Sequence, residues 1–81
     1  MTRTEIERKL INIVCAETNM PGGALTRTTV LRDAGIDSLD ALNVIFAIEE
    51  DFHISISDER ARAVETFGDI IDIVAELVPA V

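Results

Sequence analysis

In the run Gly35-Ile36-Asp37-Ser38-Leu39-Asp40-Ala41-Leu42-Asn43-Val44-Ile45-Phe46-Ala47-Ile48-Glu49-Glu50-Asp51-Phe52, apolar side chains recur at helical intervals and are too dense for a solvent-facing helix. Gly35 breaks the preceding turn, and Asp37 or Ser38 supplies a side-chain oxygen to start a helix that reaches about Phe52. Leu39, Leu42, Val44, Ile45, Phe46, Ile48 and Phe52 cover most of its circumference, leaving Asp40, Asn43, Ala47 and Glu50 as one polar or small stripe. Such a helix is expected to be buried on most sides, as the central member of a bundle.

The flanking sequence supplies the other members. Ile6, Leu10, Ile13 and Val14 share one face of a helix predicted over residues 4–17, with Thr4 and Glu7 at capping-box spacing. Asn19-Met20-Pro21-Gly22-Gly23 ends it, and residues 29–33 fit a short turn closed by Gly35. A short helix is expected near residues 58–64, capped by Ser57 or Asp58. A last helix over residues 66–78 is capped by Thr66 with Asp69 three residues on, has Phe67, Ile70, Ile71, Val74, Leu77 and Val78 on its core face, and is stopped by Pro79. His53-Ile54-Ser55-Ile56-Ser57 alternates like a strand but has no partner elsewhere, so it reads as an extended connection burying Ile54 and Ile56. The expected fold class is all-α: a small four-helix bundle, three main helices plus a short one, in a single domain spanning residues 1–81.

Composition narrows the function. With 81 residues and three aromatic side chains (Phe46, Phe52, Phe67), the core must be built from Ile, Leu, Val and Ala. One cysteine, Cys15, allows no internal disulfide and reads as a small core residue. No apolar run suits a signal peptide or a membrane span, and a soluble, cytoplasmic, monomeric protein is expected. The net charge of −8 is unevenly distributed: residues 1–32 carry +2, residues 33–59 carry −8 with no base, and residues 60–81 carry −2. That field repels nucleic acid and anionic lipid and attracts basic protein surfaces to the middle of the chain.

Catalytic parts are absent. His53 lies at the far end of the central helix from Ser38, roughly 20 Å away at 1.5 Å per residue, and no lysine or tyrosine is near the serine. His53 with Glu50 and Asp51 makes a poor metal site. Asp33, Asp37 and Asp40 depart from a calcium-loop spacing. Ser38 has an ordinary explanation as a helix cap. The same position also suits a phosphate-linked group, because a helix amino end favours an anion.

Gly35-Ile36-Asp37-Ser38-Leu39-Asp40 resembles the attachment motif of acyl carrier proteins, with Ser38 in the place of the modified serine. The resemblance continues through Ala47-Ile48-Glu49-Glu50-Asp51-Phe52, Ile54-Ser55-Ile56 with Asp58-Glu59, and Thr66-Phe67-Gly68-Asp69, covering about residues 4–78. It implies a carrier and not an enzyme, with a 4′-phosphopantetheine arm from coenzyme A attached to Ser38 by a phosphopantetheinyl transferase and Asp37 and Leu39 flanking it. It implies an acyl cargo held as a thioester for fatty-acid, polyketide or specialised lipid biosynthesis. Acyl-loading and acyl-transferring enzymes with basic surfaces would dock on Asp40, Asn43, Phe46, Ala47, Glu49 and Glu50. Leu39, Leu42, Ile45, Phe46, Val64 and Ile70 would line the interior that shelters a chain. Asn43, Arg60 and Arg62 stand where many members carry other residues, acids among them, and so bear on partner choice. An aminoacyl or peptidyl carrier is the nearest alternative, disfavoured by Asp37, Asp40 and the acidity of the central helix. An unmodified acidic binding module is the alternative from another class.

The eight acids of residues 33–59 repel one another in the folded state. Moderate salt or a divalent cation is therefore expected to raise the melting temperature, as read by circular dichroism. An unchanged midpoint between low and moderate salt would show that the crowding carries no cost.

Overall fold

The computed structural model describes residues 2–18, 23 and 25–78. Among them, the chain order is α1 (Arg3–Thr18), α2 (Ser38–Phe52), α3 (Asp58–Arg62) and α4 (Phe67–Leu77). No strand occurs among the described residues beyond one isolated antiparallel bridge between Val30 and Thr66. The all-α, four-helix expectation holds. The expected stops at residues 19–22 and at Pro79 lie outside the described residues.

Helix α1 starts earlier than its spacing predicts. Thr2-Arg3-Thr4-Glu5-Ile6-Glu7 contains two overlapping Thr-x-x-Glu pairs, and the first is used. Thr2 Oγ1 accepts from the Glu5 amide at 3.2 Å, and the Thr2 amide donates to Glu5 Oε1 at 3.4 Å. The earlier start brings Arg3 into the helix, where its guanidinium reaches Asp72 of α4 at 2.7 Å. Ile6, Leu10 and Val14 are buried, while Ile13 is half-buried at the stripe's edge and Cys15 packs against the core.

Among the described residues no polar or charged side chain is buried, and the core is formed from all main helices and their connections. Leu10, Val14, Ile48, Phe67, Ile71 and Val74 are its most enclosed large side chains. Helix α1 packs on both α2 and α4. At its α2 contact, Lys9 lies 5.1 Å from the Phe52 ring centroid and 3.3 Å from Asp51, covering the apolar seam with its stem. Helix α2 ends at His53, whose φ of 56° is left-handed; the amides of His53 and Ile54 both donate to the Glu49 carbonyl. The 54–57 segment is extended, as its alternation suggests, with Ile56 buried and Ile54 half-buried. Ser57 caps α3, which ends at Arg62, two residues before the expected stop. The Ala63 and Val64 amides there donate three residues back, to the Arg60 and Ala61 carbonyls, closing the helix in a tighter turn.

Helix α4 carries the capping box expected from Thr66 and Asp69. The Thr66 and Glu65 amides both donate to the Asp69 carboxylate, and these bonds hold its pKa below the ordinary value. The loop before α2 is strapped onto this same junction. Leu31 donates to the Glu65 carbonyl, Phe67 to Thr29 and Gly68 to Arg27, at 2.9–3.0 Å. A Cβ on Gly68 would lie 2.7 Å from the Arg27 carbonyl oxygen, so only glycine lets the loop backbone approach α4 this closely.

Gly68→Ala is accordingly expected to cost about 1–3 kcal/mol, the range for overpacking. The loss should show as a lower urea midpoint with an unchanged slope. An alanine variant as stable as wild type would mean that the loop does not depend on this approach.

Candidate functional site

The start of α2 is built by a turn over residues 31–35. Ile36 donates to the Leu31 carbonyl and Gly35 to the Arg32 carbonyl, the paired bonds of a Schellman closure, with Gly35 at φ 89° in the left-handed position that favours glycine. Ile36 is buried immediately after it and anchors the turn. Asp37 then caps α2: its backbone is extended, and Oδ1 accepts from the Asp40 amide at 2.9 Å.

Ser38 is therefore the first helical residue and not the cap. It is exposed, and its hydroxyl has no hydrogen-bond partner among the described residues. The ordinary structural reason for a serine at a helix start is met by its neighbour. What remains is a free hydroxyl at the positive end of a 15-residue helix.

Ser38 stands at the edge of a cleft of about 510 Å³ between the start of α2, the 30–36 turn, α3 and α4. Val14, Val44, Ile45, Val64 and Ile70 form its apolar walls, and Arg32, Asp37, Arg62 and Glu65 its polar rim. Of the side chains expected to line an interior, Ile45, Val64 and Ile70 do so. Leu39, Leu42 and Phe46 do not: they are 67%, 44% and 57% exposed. The expectation that α2 is buried on most sides is corrected by the same observation. Its buried face is Val44, Ile45, Ile48 and Phe52, turned to the common core, and no other described element covers the opposite side.

The remaining expected residues fall into two groups. Asn43 and Glu50 are exposed on α2, with Asp40 and Ala47 half-exposed. Glu49 is half-buried, and its Oε2 accepts from the Ile56 amide at 2.8 Å, pinning the connection after α2. Arg60 is ion-paired with Glu76 of α4, which holds the Glu76 carboxyl below its ordinary pKa. Arg62 is exposed at the cleft rim, with no ion-pair partner among the described residues. Arg32 joins it there, a placement the sequence did not signal because turn 31–35 folds back beside Ser38. His53 caps the opposite end of α2, and Asp33, Asp37 and Asp40 are not gathered into a metal-ligating group among the described residues.

Similarities to known proteins bear on this arrangement. Residues 8–74 match the family described as the phosphopantetheine attachment site. The acyl carrier protein of Porphyromonas gingivalis is 36% identical over 70 residues, covering 85% of this chain and 90% of that one. A mitochondrial acyl carrier protein of Dictyostelium discoideum is 32% identical over 88% of this chain and 59% of its own length. The solved acyl carrier protein of Thermotoga maritima has the same fold, with a TM-score of 0.81 at 23% identity over 91% of this chain and 87% of that one.

The division of labour between Asp37 and Ser38 predicts unequal costs. Asp37→Ala should lose about 1 kcal/mol with the cap, whereas Ser38→Ala should stay within about 0.5 kcal/mol of wild type. Denaturant midpoints of the two variants measure this, and a larger loss at Ser38 would return the serine to a capping role.

Proposed function

This chain belongs to the acyl carrier protein family, and from that premise we propose that it carries acyl intermediates as thioesters on a 4′-phosphopantetheine arm attached to Ser38. The free, exposed Ser38 hydroxyl beside an occupied cap is the observation that carries this reading. A side chain already committed to its own helix would have to give up a bond to be modified; Ser38 gives up none.

Attachment from coenzyme A requires the Ser38 Oγ to form a bond to the phosphorus that bears the pantetheine, while the diphosphate linkage to the nucleotide breaks. Adenosine 3′,5′-bisphosphate leaves, and the hydroxyl proton passes to a base of the transferase. The chain contributes an accessible nucleophile at a helix start, where the backbone amides of the first turn favour the new phosphodiester. When attached, the arm supplies a terminal thiol for the thioester. The chemistry of loading and transfer belongs to partner enzymes, so the chain acts as a cosubstrate and not as a catalyst.

Partner docking is assigned to the exposed side of α2. Leu39, Leu42 and Phe46 form an apolar strip beside Ser38, with Asp40, Asn43, Ala47 and Glu50 around it. Apolar contact within an acidic surround suits partners whose docking surface is basic with an apolar centre. Glu49 and Arg60 act indirectly, since each is engaged within the chain. The exposed charge of Arg62 disfavours generic basic partners. We assign the activity to a single cytosolic carrier domain serving fatty-acid, polyketide or specialised lipid synthesis.

Intact-mass analysis after incubation with coenzyme A and a broad-specificity phosphopantetheinyl transferase tests the proposal. One phosphopantetheine should be gained by wild type and none by Ser38→Ala. No gain in wild type would favour an unmodified binding module, and a gain surviving in the alanine variant would place the arm elsewhere.

A further inference from the structure

The chain has seven basic side chains, and four of them are committed. Arg3 and Arg27 pair with Asp72, Lys9 with Asp51 and Arg60 with Glu76. Three have no ion-pair or side-chain hydrogen-bond partner among the described residues: Arg8, Arg32 and Arg62. Arg8 is on α1, away from the cleft. Arg32 and Arg62 come from opposite sides of the chain, the turn before α2 and the end of α3, and both line the cleft at whose edge Ser38 stands. In a protein of net charge −8, two uncommitted arginines lining one cleft are a specific feature. The acids on the same rim, Asp37 and Glu65, do not come within 4 Å of either one, and Asp37 Oδ1 is taken by the Asp40 amide.

Resting on the carrier reading, we propose that Arg32 and Arg62 form an anion clamp for the phosphodiester linking the arm to Ser38. Attachment adds one negative charge next to Asp37 and near Asp40. The first turn of α2 then carries three anions, more than its amino end balances. Guanidiniums on the cleft rim offset that charge with planar donor pairs that match a phosphate's oxygens. Their position directs the arm along the apolar cleft and away from the exposed Leu39–Phe46 strip, so the clamp holds the arm on the carrier until a partner draws it out. Because the clamp acts on the arm's phosphate, it operates whatever the cargo.

Phosphorus-31 NMR of the modified protein reads this directly. Mass gain is confirmed first, so that failure of attachment counts against the carrier reading and not the clamp. In wild-type holo protein carrying a free thiol, the phosphodiester resonance should be displaced from its position in the denaturant-unfolded holo protein. It should also be broadened to the tumbling of the folded chain. Arg32→Gln with Arg62→Gln should remove most of the displacement and narrow the line, while Arg32→Lys with Arg62→Lys should retain part of both. Raising salt should erode the wild-type displacement, a measurement that needs no variant to fold. A resonance unaffected by the glutamine pair and by salt would overturn the clamp. So would a displacement that needs the arginines only when the arm carries a dicarboxylic acyl group, since the arginines would then read the cargo's carboxylate.

Discussion

The left-handed Gly35 and the two bonds it permits hold the amino end of α2 in place, and the site depends on that junction. Leu31 is bonded on both sides: its amide donates to Glu65 before α4, and its carbonyl accepts from Ile36 before α2. The starts of two helices are thereby fixed through one residue. Ile36 buries its side chain at the next step, Asp37 closes the first turn, and Ser38 is left exposed, its hydroxyl without a partner among the described residues. A residue unable to adopt positive φ at position 35 would strain the closure by about 1–2 kcal/mol. The strain would fall on the turn that sets the direction of α2.

Much of this was legible in the sequence because each helix carries its own start signal. Thr66 with Asp69 reads as a box and forms one, and Asp37 and Ser57 cap the helices that follow them. The exceptions have physical reasons. Thr2 and Thr4 offer competing boxes, and a tertiary contact, Arg3 to Asp72, accompanies the earlier one. The apolar circumference of α2 implies burial on most sides, yet only three other helices are present among the described residues, and they cover one face of it. Composition does not distinguish a side chain kept apolar for the core from one kept apolar for a partner. Under the carrier reading, Leu39, Leu42 and Phe46 belong to the second kind. The placement of Arg32 and Arg62 was also hidden, because it arises from a turn and a short helix meeting across the cleft.

The exposed strip has an energetic cost that its position explains. Leu39, Leu42 and Phe46 are 44–67% exposed, so each forgoes roughly half of the 1.5–3 kcal/mol that full burial would give, a substantial loss for a domain of 81 residues. The acids of residues 33–59 add self-repulsion to the same region. Stability is recovered on the other side of the molecule, where Phe67, Ile71 and Val74 are fully enclosed against α1 and the Arg27 loop is strapped to α4. The bundle is consolidated along the inner faces of α1, α2 and α4, while the outer face of α2 stays available.

The central claim is that Ser38, freed from capping by Asp37, is the point at which cargo is attached. Its most direct test is site localisation in protein purified from its own cells, by proteolysis and fragmentation mass spectrometry of the peptide spanning residues 33–60. A phosphopantetheine is expected on Ser38, with part of the population carrying an acyl group on the terminal thiol. Native protein uniformly unmodified at Ser38, or carrying the arm on Ser55 or Ser57, would contradict that claim.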